Sequence, residues 1–222
     1  MDFAQLIQTI AVYAIPVLFA ITVHEAAHGY VARHFGDPTA ELAGRLTLNP
    51  LKHIDPIGTI AMPLMLYFAT AGTFLFGYAK PVPVNTAGLR DPKKHMVWVA
   101  LAGPMSNFAQ AILWALFSVA LVLFGISEPF FYQMARAGLL VNLVMWAFNL
   151  FPLPPLDGGR VLVGLLPPRA AQWVERIEPY GFFIVLGLVL FGVLGKLWLL
   201  PLMALGGQAI NLLMSPLLAL VR

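Results

Sequence analysis

The chain has 222 residues, 60% of them hydrophobic and 10% charged, with a net charge of +3 and a mean hydropathy of +0.83. A soluble domain carries about 25% charged residues, so the composition excludes a soluble fold and a nucleic-acid-binding surface and points to a polytopic membrane protein. There is no cysteine, which excludes disulfides and thiolate metal sites and leaves His, Asp, Glu and carbonyl oxygen as metal ligands.

A bilayer core about 30 Å thick needs roughly 20 apolar residues per helical span. Charge-free runs near or above that length lie at 3–23, 56–79, 96–127, 137–156, 179–195 and 197–221. The opening MDFAQLIQTI lacks the basic start of a signal peptide, so the first run is expected to be a retained span. Little chain is left over, and a single membrane-embedded unit over 1–222 is expected.

The first run ends in HEAAH, which places His24, Glu25 and His28 on one helix. Residues i and i+4 share a helix face, so both imidazoles reach one metal ion. This is the H-E-x-x-H pattern of zinc hydrolases, in which the Glu serves a metal-activated water. A chance match in a helix is the alternative, but ionisable side chains at a membrane segment are costly and usually functional.

Two stretches then read as extended. ELAGRLTLNPL (41–51) has partial alternation, and KPVPVNT (80–86) carries prolines that disfavour helix before them. These stretches are either two surface loops or, as expected here, short membrane-associated β elements offering an edge to an unwound substrate. His34, His53 and His95 flank the apolar runs beside Arg or Lys and are expected to be solvated. LAGPMSN (101–107) opens the next run. Its Gly103 and Pro104 are expected to set close helix packing and its Asn107 to bond across helices, a structural role.

The run at 137–156 ends in NLFPLPPLDGGR. Pro152, Pro154 and Pro155 break the helix, and non-helical backbone at membrane depth is tolerated only against protein or a watery cavity. Asp157 is the best third protein ligand for a zinc that keeps a water in its fourth position. Its Asp-Gly-Gly setting also suits a plain turn. Asn149 could donate to a substrate carbonyl or oxyanion, or bond between helices.

One zinc cannot bind both His24/His28 and Asp157 across a membrane. If 56–79 dips in and returns, both ligand groups share one face. The basic residues then share it too, all but Arg136 and Lys196, and that face is cytoplasmic. Five spans plus one re-entrant segment are expected.

HEAAHGYVARHFGD, GRLTLNPLKHIDPIGT, FGYAKPVPVN, LAGPMSN and NLFPLPPLDGGR together resemble the site-2 protease family (peptidase M50) in its compact bacterial form. The resemblance spans nearly the whole chain. It implies zinc held by His24, His28 and Asp157, with Glu25 as base and Asn149 positioning substrate. It also implies one Zn2+ per chain, a transmembrane protein substrate in contact with membrane lipid, and a multi-pass protein of the inner membrane whose site lies towards the cytoplasm. No PDZ or CBS domain is expected. A transporter using intramembrane His and Asp, or an inactive scaffold, are the competing readings.

Overall fold

The computed structural model describes residues 3–61, 65 and 79–219. Helix α1 (Phe3–His34) runs through the first apolar stretch and the HEAAH motif without a break. Its 32 residues rise about 48 Å, more than the bilayer core. It stops at Gly36, whose φ of 109° closes a left-handed cap. There Gly36 N–H bonds Arg33 O and Asp37 N–H bonds Ala32 O. A short α2 (Thr39–Leu42) follows.

Helix α3 (Pro92–Leu123) is started by Asp91, whose carboxylate accepts from Lys94 N–H, with Pro92 in the first turn. Helix α4 (Pro129–Asn149) ends at the proline-rich segment. Helix α5 (Asp157–Leu165) begins on Asp157 itself. Then come α6 (Pro168–Glu175), α7 (Glu178–Leu190), a wide turn at Gly195–Leu199 and α8 (Leu200–Ala219).

Helices α1, α3 and α4 pack against one another, α5 leans on α3, and α8 closes the far side. Alanines line the seams: Ala20, Ala26 and Ala32 on α1, Ala100 and Ala111 on α3, Ala135, Ala137 and Ala147 on α4 are all buried. Small residues let apolar helices approach closely where lipid removes the hydrophobic drive to associate. Ile10, Phe19, Leu113, Leu123 and Leu212 point outward and are exposed, as lipid-facing residues of membrane helices are.

Among the described residues three helices combine the length and apolarity needed to cross a membrane: Ile7–His34, Pro92–Leu123 and Gly195–Leu217. Three of the five expected spans are matched in this way. Helix α7 has 13 residues and rises about 20 Å, short of the bilayer core. Helix α4 is long enough at 21 residues but is not among the three. The expected re-entrant run at 56–79 lies for the most part outside the described residues. Its flanks meet: Lys80 N–H donates to His53 O at 2.9 Å.

The expected β elements are not there. Among the described residues no strand occurs; 41–51 is a helical turn, a loop and a 3-10 turn, and 80–85 has no regular structure. Pro81 and Pro83 remove alternate N–H donors, and the donors that remain go elsewhere. Val82 N–H bonds Glu25, Asn85 N–H bonds Asp37 and Lys80 N–H bonds His53 O. The two stretches are joined by a side chain instead, Arg45 Nη2 donating to Lys80 O at 2.7 Å.

Asp37 anchors the end of this strap. It is buried, and it accepts from Thr39 N–H, the Thr39 hydroxyl and Asn85 N–H. Burial alone would raise its carboxyl, but the bonds from Thr39 and Asn85 outweigh it and hold it below the ordinary carboxylate range. A depressed folded value means the tether is complete above the unfolded value of about 3.9 and is lost as pH falls through the folded one. Protection of the Asn85 amide against exchange, relative to a free amide at the same pH, is therefore expected to be high near neutrality and to fall in acid. Asp37→Ala should make it low throughout; high protection in that variant would remove Asp37 from the tether.

Candidate metal centre

The helix spacing does what the sequence predicts. His24 and His28, one turn apart on α1, bring their Nε2 atoms to 3.1 Å. Asp157, at the first turn of α5, sets its Oδ2 3.3 Å from each. All three residues are buried or nearly so, and they are the one group of three such ligands among the described residues. Asp157 Oδ2 has no hydrogen-bond partner. Tetrahedral zinc with bonds of about 2.0–2.1 Å spaces its ligand atoms roughly 3.3 Å apart. The donor set, its spacing and the orphaned carboxylate oxygen all fit zinc.

Each ring is held from behind. His28 Nδ1 is 2.7 Å from Val99 O, and His24 Nδ1 is 2.6 Å from Asn107 Oδ1. Both partners lie on α3. Gly103 presses on the same rings: a Cβ there would lie 2.6 Å from His24 Cε1 and closer still to His28 Nε2. The small residue expected to set helix packing is thus also the floor of the ligand pair.

Asp157 owes its place to the irregular segment before it. The two glycines after it fit directly on that segment. A Cβ on Gly158 would strike Leu150 O, and one on Gly159 would strike Pro154 N. The turn reading and the ligand reading of Asp-Gly-Gly are compatible, because the tight backbone approach delivers the carboxylate to the imidazoles.

Glu25 lines a cavity of about 150 Å³ with His24, His28, Asn149 and Asp157. Its Oε2 accepts from Val82 N–H at 2.7 Å, so the strap orients the carboxylate. Asn149 stands in the same wall, and its Nδ2 donates to Met145 O at 3.0 Å, one helical turn back. Five of the cavity's residues, among them Val82, Met96 and Arg160, also line a neighbouring cavity of about 860 Å³ between the strap and α5–α6.

The expected cross-helix bonding of Asn107 is seen, to Ala20 O and Asn142; its place behind His24 and the contact of Val82 with Glu25 were missed. Val82 offered no signal, because its contribution is a backbone N–H. Asn107 offered one: it lies four residues after Gly103, on the same face of α3. His53 is also corrected. It is buried rather than solvated, with Nε2 on Thr47 O.

Among known proteins, "Putative zinc metalloprotease YwhC" of Bacillus subtilis (strain 168) is 40% identical over 207 residues, covering 90% of each chain. The chain belongs to the site-2 protease-like family of zinc metalloproteases. "Putative zinc metalloprotease Rip2" of Mycolicibacterium smegmatis is 31% identical over 81% of this chain and 66% of its own length. "Zinc metalloprotease MJ0392" of Methanocaldococcus jannaschii is 24% identical over 88% of this chain and 47% of its own. No family model matches the chain, and no solved structure does. The protein is accordingly a metalloprotease, its metal is zinc, and its long apolar helices insert in a membrane.

Gly103→Ala should displace both imidazoles. Misplacing a reacting group by about 1 Å costs on the order of 100-fold in rate, and a loss of that order is expected together with reduced zinc per chain. Full zinc content and full activity in this variant would show that the rings tolerate the methyl group.

Proposed function

We propose that this metalloprotease is an intramembrane endopeptidase, binding one zinc per chain and cutting transmembrane or membrane-proximal segments of other membrane proteins. The observation that carries the reading is the position of the donor set. His24 and His28 lie on a helix apolar and long enough to cross a bilayer, and between Phe3 and His24 that helix rises about 32 Å. The ligands therefore come at the end of a full span, where α3 and α5 enclose them.

Zinc, when bound by His24, His28 and Asp157, supplies Lewis acidity that lowers the pKa of water and polarises a carbonyl. Glu25, held by Val82 N–H, is placed to take the proton from the attacking water and return it to the departing amine. Asn149 has one amide N–H engaged with Met145 O; its other N–H is free to donate to the substrate carbonyl as charge develops on the oxygen.

The distribution of basic residues supports a site facing the cytoplasm in a multi-pass protein of the inner membrane. The partners are a transmembrane protein substrate and the surrounding lipid. The chemistry gives no role to nucleic acid.

Glu25→Gln should keep its zinc and lose cleavage by at least about 100-fold, the scale of general acid–base catalysis. Comparative membrane proteomics of wild-type and Glu25→Gln cells should show a membrane protein that accumulates in the variant. Retention of both zinc and cleavage would overturn the role of Glu25. Accumulation of soluble proteins alone would overturn the intramembrane reading.

A further inference from the structure

We propose that Asn107 is a positioning residue that fixes the tautomer of His24 and so readies it to bind metal; this rests on the zinc reading above. The argument runs inward from two backbone carbonyls, which can only accept. Gly138 O accepts from Asn142 Nδ2 at 2.9 Å, so Asn142 must turn its Oδ1 the other way. That oxygen lies 3.0 Å from Asn107 Nδ2. Ala20 O lies 3.1 Å from the same nitrogen. Two acceptors on one side of the Asn107 amide can only be met by its NH2 group, which carries two hydrogens.

Asn107 Oδ1 is thereby forced towards His24, 2.6 Å from Nδ1. An amide oxygen accepts, so His24 must carry its proton on Nδ1, and its Nε2 presents a lone pair towards His28 Nε2 and Asp157 Oδ2. The orientation of each amide follows from the network rather than from the appearance of oxygen and nitrogen, which are alike. Asn107 and Asn142 are both fully buried, and no solvent competes for these bonds.

The chain joins three helices. Asn142 is on α4, Asn107 on α3, and Ala20 and His24 on α1. Ala20 and His24 are one helical turn apart, so Asn107 grips α1 at the turn that carries the ligand. Histidine ligands generally donate their second N–H to a carboxylate, carbonyl or water, and loss of such a partner costs about 10–100-fold in metal affinity. His28 has its own partner in Val99 O, which no side-chain substitution removes. Among the described residues, the His24 side is therefore where a side chain controls the ligand pair.

The test uses the full chain purified in detergent, with zinc affinity by competition against a chelator and the visible spectrum of the cobalt-substituted protein. Asn107→Leu is expected to lower zinc affinity about 10–100-fold and to change the cobalt spectrum. Leu143→Ala opens a cavity in the apolar packing of α3, α4 and α8 without touching the Asn142–Asn107–His24 network and should stay within a few-fold of wild type in zinc affinity, even where thermal unfolding of the metal-free proteins shows destabilisation equal to that of Asn107→Leu. Asn107→Asp keeps an acceptor for His24 Nδ1 and should recover most of the affinity lost in the leucine variant. Zinc affinity that simply tracks thermal stability across the three variants would overturn the proposal, as would wild-type affinity in Asn107→Leu. If Asn107→Leu does not fold, Asn107→Asp and Leu143→Ala decide: affinity in the former at or above the latter supports the proposal, and weaker affinity overturns it. A wild-type chain that binds no zinc would instead sink the metal reading on which the proposal rests.

Discussion

Three electron pairs meet in the buried centre of this protein, on His24 Nε2, His28 Nε2 and Asp157 Oδ2, and with both rings carrying their proton on Nδ1 no group among the described residues offers them a hydrogen. Buried acceptors left in that state are expensive. A bound cation turns the same convergence into a favourable site, which is why the donor set reads as a metal centre rather than as a salt-bridge cluster. The rest of the structure serves this convergence. Helix α1 supplies two ligands because 3.6 residues per turn stacks i and i+4. The proline-rich segment supplies the third because it ends α4 early and swings α5 inward.

The helices that hold the site must come close without a hydrophobic drive, since lipid is as apolar as their side chains. Alanine along the seams allows the approach, and Gly103 allows the closest part of it, beneath the imidazoles. Interhelical bonds between amide side chains add roughly 1 kcal/mol each in such settings. That energy is modest. Its value here lies in direction, because the amide of Asn107 fixes a ring orientation that packing alone would leave free.

The strap at 80–85 shows why local sequence can mislead. Two prolines in alternation suggest an extended strand, and the backbone does avoid helix there. Yet the donor between those prolines, Val82 N–H, goes to Glu25, and those flanking them, Lys80 and Asn85 N–H, go to His53 O and Asp37, so no ladder forms. What reads as an edge for a partner is a brace for the Glu25 carboxylate. The same strap lines both the metal cavity and the larger one beside α5 and α6.

Composition and periodicity by themselves determined the membrane class, the apolar runs and the helical pairing of His24 with His28. Those properties depend on nearest neighbours along one helix, and the residues write them plainly. The motif set determined the family, and Asp157 was legible because a zinc hydrolase wants a third ligand and the chain has few acidic residues inside its apolar stretches. Only the tertiary structure decided that α7 is too short to cross, that 41–51 and 80–86 form no strands, and that His53 is buried. It alone joined Asn107 to His24 and Val82 to Glu25, contacts 83 and 57 residues apart in the chain. Such contacts depend on which faces of separate helices and loops come together, and one of them uses a backbone N–H that every residue but proline possesses, so no residue type could announce it.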